Sequence, residues 1–261
     1  MPFHQHDSIR YFTFESLDFA HIKHAVFTRR GGVSPDPWAS LNVGGLRGDD
    51  PQRVYQNRVL AFQTLKRKPE SVYDVWQVHS ADVICTSGCR PANVRHKKAD
   101  AILTDQEEVT LFMRFGDCVP ILLADPVKKV VGLVHAGWIG TVRGVVTDAI
   151  KEMRAAYGSN ANNILAAIGP SIAQHHYPVG PEVVELVRES FGKDASGLIA
   201  EQNGTNQFDL WSANRLLLER AGVKDIENPE ICTACNLDDW YSHRGENGKT
   251  GRFGVLITIG D

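Results

Sequence analysis

Three residues of this 261-residue chain have side chains suited to one metal ion. Cys118 stands in Gly116-Asp117-Cys118-Val119-Pro120, His135 in Val134-His135-Ala136-Gly137-Trp138, and His79 in Gln77-Val78-His79-Ser80. One thiolate and two imidazoles suit Zn²⁺, and three protein ligands leave the fourth tetrahedral position for water or substrate, as in catalytic rather than structural zinc sites. None of the three lies in a compact zinc-finger spacing. Each ends an apolar, strand-like run, where a sheet delivers side chains to a site. The alternative for these residues is a buried thiol and two hydrogen-bonded core histidines.

Arg58 and Arg244 are candidates for holding an anion, because a guanidinium fork matches the oxygens of phosphate or carboxylate. Arg244 lies in a glycine-rich polar stretch running from Ser242 to Arg252, whose backbone can approach a ligand closely. Ser40 and Asn42 are suited to hydroxyls or a base edge, or else are ordinary turn residues. Asp117, next to the ligand Cys118, can shuttle a proton or orient a ligand. Cys232-Thr233-Ala234-Cys235 is one C-x-x-C without a partner pair, which makes half a zinc site, or a redox dithiol if it opens a helix after a strand; it is read here as structural thiols near the site. His175 and His176 are adjacent, so on a strand they point to opposite faces and do not chelate together.

Composition narrows the classes. With 43% hydrophobic and 23% charged residues the chain is an ordinary globular protein, long enough for a large core. A net charge of −3 offers no general attraction to nucleic acid or to an anionic membrane. No apolar run approaches the roughly 20 residues of a membrane span, and the N-terminus has no signal-peptide layout. Five cysteines, an odd and sparse number, argue for a reducing cytoplasm rather than a disulfide framework.

The elements that must position these residues follow from periodicity. Ile22 to Thr28 reads as a strand. Asp50 caps a helix with Pro51 in its first turn, a buried stripe of Val54, Val59, Phe62 and Leu65, and Arg58 beside it. Strand-like runs follow at Val72–Val78, Asp82–Thr86, Ala101–Thr104, Val109–Arg114, Ile121–Ala124 and Val130–Val134. They are too closely spaced for crossover helices, which favours antiparallel or mixed sheets over a doubly wound parallel one. One helix is expected from near Gly140 to Tyr157, closed by Gly158, and others at Val183–Phe191 and, capped by Asp209, Leu210–Ala221. Ile164–Ile168 and Phe253–Ile259 are further strands. A single domain over 22–261, preceded by an N-terminal segment over 1–21, is the expected organisation.

Nine ordered motifs resemble one family. They are Thr28-Arg29-Arg30-Gly31-Gly32-Val33-Ser34, Ser40-Leu41-Asn42-Val43-Gly44, Gln77-Val78-His79, Ala99-Asp100-Ala101, Asp117-Cys118-Val119-Pro120, His135-Ala136-Gly137-Trp138, Ile168-Gly169-Pro170-Ser171-Ile172, Cys232-Thr233-Ala234-Cys235-Asn236 and Thr250-Gly251-Arg252. The family is the one called YfiH or DUF152, formerly multicopper polyphenol oxidase or laccase, and the resemblance runs from about residue 22 to the end. It implies a four-layer α/β (α+β) sandwich with mixed β-sheets flanked by helices. It also implies a zinc-dependent purine nucleoside phosphorylase acting on adenosine, inosine, guanosine and methylthioadenosine, with adenosine deaminase activity. Purine nucleosides and inorganic phosphate are then its partners, with no nucleic acid or membrane. The family's metal ligands fall on His79, Cys118 and His135, and its substrate-side residues on Ser40, Asn42, Arg58 and Arg244. Three departures bear on substrate preference: Ile139 replaces a frequent arginine, His175-His176 a frequent cysteine pair, and Arg114-Phe115-Gly116 a frequent Thr-Ala before the aspartate.

Rival chemistries differ in their demands. Copper oxidation of phenols needs clustered His-x-His pairs, and the chain has one, His4-Gln5-His6, at an end expected to fray. A thiol hydrolase with Cys118 as nucleophile and His135 as base, editing peptidoglycan precursors, needs no metal. A non-catalytic zinc regulator needs a fourth ligand, for which Cys232 or Cys235 is the obvious donor.

Overall fold

The computed structural model describes residues 3–45 and 48–260. With strands numbered in chain order, one six-stranded sheet runs β1 (Phe3–His6), β2 (Ile9–Phe12), β3 (Lys23–Phe27), β15 (Phe253–Thr258), β7 (Thr110–Phe115), β4 (Val72–Asp74). The other runs β14 (Asp225–Glu227), β10 (Leu165–Ile168), β8 (Val119–Asp125), β9 (Val130–Ala136), β6 (Ala101–Thr104), β5 (Val83–Cys85). Pairing is antiparallel except at β4–β7, β5–β6 and β10–β14, so both sheets are mixed, as the short connections require.

Alternation along each strand explains the layering. In β8, Ile121 and Leu123 pack against helix α4 (Val145–Tyr157), through Val145, Val146, Ala149, Ile150 and Met153. Leu122 and Ala124 of the same strand face the first sheet and meet Met113, Val255 and Ile257. The outer face of the first sheet, with Ala25, Phe27, Phe112 and Leu256, is covered by Ala61 and Phe62 of α2 (Pro51–Thr64). Helix, sheet, sheet and helix layers thus share their cores pairwise, and strands buried on both faces read as continuous apolar runs. The four-layer mixed sandwich is the fold.

Several elements differ from their sequence reading. The helix expected from Gly140 is two: α3 (Trp138–Val142) ends before Gly144, whose φ of 78° cannot continue a right-handed helix, and α4 starts afterwards. Gly158 closes α4 in the left-handed region as expected. The stripe of α2 is rotated: Val54, Asn57, Ala61, Phe62 and Thr64 are buried, while Val59 and Leu65 are half-buried. Its inward polar residue, Asn57, donates through Nδ2 to Ser34 Oγ and the carbonyls of Ser40 and Asn42, and accepts from the Val33 N–H. The His4-Gln5-His6 segment is not frayed but paired, Phe3 opposite Phe12 and His6 opposite Ile9. Phe12, Phe14 and Leu17, the last two in and before α1 (Glu15–Phe19), enter the core between the sheets.

A three-stranded sheet, β11 (Pro178–Val179), β13 (Thr205–Phe208) and β12 (Ile199–Gln202), adjoins α5 (Pro181–Phe191) and α6 (Leu210–Arg220). Its strands are two to four residues long and mostly polar, so no periodic signal marks them. No helix among the described residues is long and apolar enough to cross a membrane.

Candidate metal centre and its surroundings

The first site forms where the chain passes between sheets. β7 belongs to the first sheet and β8 to the second, and the connecting turn, Gly116-Asp117-Cys118, carries the thiol across. Asp117 has φ 89°, a left-handed conformation for a non-glycine residue, and His79 has φ 60°. Such conformations persist only where surrounding contacts enforce them. For His79 the enforcing contacts are visible. Gln77 clasps the Arg114 backbone in both directions (Nε2 to carbonyl 2.8 Å, N–H to Oε1 3.1 Å), and the Val78 and Ser80 N–H groups both donate to Asp100 Oδ2. His135 sits on β9 opposite Pro120 of β8, one pair from the end of the ladder.

The donor atoms of His79, Cys118 and His135 lie within 4.8 Å of one another, with Cys118 Sγ 3.8 Å from His79 Nε2. His135 is 5% exposed and its Nδ1 meets Asp100 Oδ1 at 2.8 Å. An imidazole that donates Nδ1–H to a carboxylate has its other nitrogen fixed as the ligating one, which is the usual carboxylate–histidine–metal relay. Burial works against charging either group, yet the pair charges. The neighbouring histidines, His135 foremost, bring the Cys118 thiol down to about 6, and Cys118 and Asp100 push His135 up to about 9. Gly137 packs closely on two of the donors: a Cβ there would lie 2.9 Å from His79 Cδ2 and 3.0 Å from Cys118 Sγ. His79 is exposed and Cys118 half-buried, so the group is reached from solvent. The donor set fits a zinc ion with a free position.

The other candidates divide into those at this centre and those that build its walls. Asp117 is buried, and its carboxylate accepts from Thr233 Oγ1 (2.8 Å), Ser242 Oγ (2.7 Å) and the Arg244 N–H (2.7 Å). It thereby ties two C-terminal loops to the residue before Cys118. Arg244 reaches back along Tyr177, its guanidinium 5.0 Å from the ring centre, and donates to the Pro178 carbonyl. Burial, with the Cys118 charge next, raises the Tyr177 phenol. Asn42 is 0% exposed: its Nδ2 donates to Asp49 and its Oδ1 accepts from the Gly44 and Arg252 N–H groups. Ser40 Oγ donates to the Arg29 carbonyl and accepts from the Gly32 N–H. Both shape their loop through these bonds.

Arg58 is packed over Phe112, and its Nε and Nη2 donate to the Val43 carbonyl. No carboxylate lies within ion-pair distance of it among the described residues, and burial, with Arg114 next, lowers it to about 10. Arg252, unassigned from sequence, runs past both Gly44 and Gly116, where any Cβ would strike its side chain at 2.9 Å. It links the Asn42 loop to the turn that carries Cys118. Asp100, also given no role from sequence, had one signal: it lies in Ala99-Asp100-Ala101, one of the nine family motifs, at the entry to the apolar run of β6.

A second donor group was misread. His175 and His176 lie not on a strand but in a 3₁₀ turn, Gln174–His176, where consecutive side chains diverge by about 120° rather than 180°. Both rings reach the C-x-x-C, so Cys232 and Cys235 do have partners, and neither belongs to the His79 group. The fourth ligand considered for a closed regulatory site at Cys118 is therefore not among them.

Comparison with known proteins agrees with this architecture. Residues 23–260 match the family described as multi-copper polyphenol oxidoreductase laccase, and the chain belongs to that family. A relative from Deinococcus radiodurans, named purine nucleoside phosphorylase, is 36% identical over 91% of this chain and 89% of its own length. Purine nucleoside phosphorylase YlmD of Bacillus subtilis is 35% identical over 88% and 86%. The crystal structure of YlmD from Geobacillus stearothermophilus superposes with a TM-score of 0.91, at 32% identity and 99% coverage of both chains.

Proposed function

We propose that the protein is a zinc-dependent purine nucleoside phosphorylase that also deaminates adenosine. The carrying observation is the three-donor group of His79, Cys118 and His135, with His79 exposed, in a chain whose relatives are named purine nucleoside phosphorylase. Zinc, when bound by these residues, is a Lewis acid that polarises a substrate oxygen or makes a water more acidic. The zinc–thiolate reading suits a reducing compartment, and all five cysteines are unpaired.

In phosphorolysis the bond from ribose C1′ to the purine nitrogen breaks, a phosphate oxygen bonds to C1′, and the departing base takes up a proton. Dihydrogen phosphate carries in the proton that the base takes up, and the protein's own residues bind and position the partners. Arg58, a half-buried cation with no acidic partner, binds the phosphate charge. Asp100 fixes the His135 tautomer and ring orientation. Asp117 acts through position: with three donors on its carboxylate, it holds the Arg244 loop and the Cys118 turn in register. Arg244 and Tyr177 wall the nucleoside side, and Ser40 and Asn42 keep the loop below Arg58 in shape. Adenosine, inosine, guanosine and methylthioadenosine are the substrates.

A second reading rests on one observation, the Cys118–His135–Asp100 line, which is also the arrangement of a thiol hydrolase. One experiment separates the two. Zinc-loaded and chelator-stripped protein are given each nucleoside with and without phosphate, and free base, inosine and the sugar 1-phosphate (ribose 1-phosphate, or 5-methylthioribose 1-phosphate from methylthioadenosine) are measured. The expected result is sugar 1-phosphate only with phosphate and only in loaded protein, plus inosine from adenosine without phosphate. No sugar 1-phosphate from any of the four, or copper as the bound metal, overturns the proposal. Amide hydrolysis that survives stripping selects the thiol reading.

A further inference from the structure

The His175, His176, Cys232 and Cys235 group has the composition and spacing of a closed metal site. Its four donor atoms lie within 4.8 Å of one another, with separations of 3.2 Å (His175 Nε2 to Cys235 Sγ), 3.4 Å (His176 Nδ1 to Cys235 Sγ) and 3.6 Å (His176 Nδ1 to Cys232 Sγ). Tetrahedral zinc with Zn–S of about 2.3 Å and Zn–N of about 2.0–2.1 Å places its ligands roughly 3.3–3.8 Å apart. The group already has nearly those edges. Two thiolates would also cancel the charge of a divalent ion, and two imidazoles would complete it.

The geometry points to a second zinc ion held by His175, His176, Cys232 and Cys235, structural and distinct from the centre at Cys118. Its surroundings are those of a held thiolate. The Ala173 N–H donates to Cys232 Sγ at 3.4 Å, and Asn236 Nδ2 bonds the Cys232 carbonyl at 2.8 Å. Four protein donors leave no open position, so the ion would staple rather than catalyse.

What it staples explains its use. His175 and His176 follow β10, while the C-x-x-C follows β14 and the Ser171–Cys232 bridge. Between the two cysteines lies Thr233, whose hydroxyl donates to the Asp117 carboxylate, and three residues before the histidines Ile172 donates its N–H to the Asp117 carbonyl. The ion would lock two loops whose neighbouring residues wall the first centre, although it touches none of that centre's three donors.

The test counts metal in the full-length protein, purified under reductant, stripped and then reloaded with Zn²⁺ alone. About two zinc ions per chain are expected in the unaltered protein, about one in Cys118→Ser, about one in Cys232→Ser/Cys235→Ser, and none in the triple variant. Reloaded with Co²⁺, Cys118→Ser should show thiolate-to-cobalt charge transfer and tetrahedral d–d absorption. His175→Gln, a single exposed-ligand exchange with little risk to the fold, should alter that spectrum. Full-length protein that holds one zinc while Cys118→Ser holds none overturns the second site, as does a Cys232–Cys235 disulfide that persists under reductant. If instead the first centre alone fails, unaltered protein and Cys118→Ser both hold one zinc. The two proposals therefore fail separately.

Discussion

Asp100 occupies His135 Nδ1 and leaves Nε2 for the proposed ion, which makes Asp100 a sensitive handle on metal binding. Asp100→Asn keeps the shape and removes the charge that draws the Nδ1 proton. Metal affinity should weaken by about 10–100-fold, read by competition with a chromophoric chelator, while the fold stays intact. Unchanged affinity would mean that His135 does not bind the ion through Nε2. Arg58 is the corresponding handle on phosphate. Arg58→Ala should raise the phosphate KM and cost phosphorolysis about 2 kcal/mol or more, through loss of a charge-assisted hydrogen bond. Deamination, which uses water, should suffer less. Equal losses in both reactions would place Arg58 with the nucleoside or the fold.

At the scale of elements, β4 and the loop beyond it depend on one buried charge. Asp74, 2% exposed, accepts from Arg90 Nε at 2.7 Å and meets His96 at 2.9 Å, with Arg114 at 3.9 Å. Burial raises its carboxyl, but Arg114, Arg90 and His96 outweigh burial and hold it below the ordinary value. A carboxylate depressed in the folded state stabilises it above the unfolded pKa of about 3.9, and that contribution is lost as pH falls through the folded value. Asp74→Asn should therefore cost on the order of 3 kcal/mol at neutral pH, because the arginines remain buried without their counter-charge. The gap between variant and parent should close below about pH 4 in denaturant titrations. A gap that persists in acid would assign the loss to packing. Arg114 also bonds Gln77 and the Val75 carbonyl, so the same cluster braces the segment that presents His79.

For the whole molecule, the proposed centre at Cys118 lies where the chain crosses between the two six-stranded sheets, and the second donor group lies beyond β10 and β14 of one of them. An ion bound to the folded chain and not to the unfolded one stabilises by about 2.7 kcal/mol when free metal is a hundred times Kd. At roughly 2–4 °C per kcal/mol for domains of this size, stripping should lower Tm by about 5–10 °C, and zinc should restore it. A Tm indifferent to chelation would show that neither group holds an ion under those conditions. The N-terminal hairpin contributes at this scale as well, since Phe12, Phe14 and Leu17 complete the core between the sheets.

Sequence alone determined what local order can encode. Apolar runs of strand length located β6 to β10, Asp50 and Asp209 marked the starts of α2 and α6, and Gly158 marked the end of α4. His79, Cys118 and His135 were legible as candidates because each was read at the end of an apolar, strand-like run, and their donor atoms lie within 4.8 Å of one another. Tertiary structure decided the rest, since it depends on contacts between distant segments. The facing of two mixed sheets made a single turn carry Cys118 to two histidines, and Asp100 gained its meaning only opposite His135. A 3₁₀ turn, indistinguishable in sequence from a short strand, aimed His175 and His176 at cysteines nearly sixty residues away. Period and capping are properties of neighbours along the chain; a site is a property of neighbours in space.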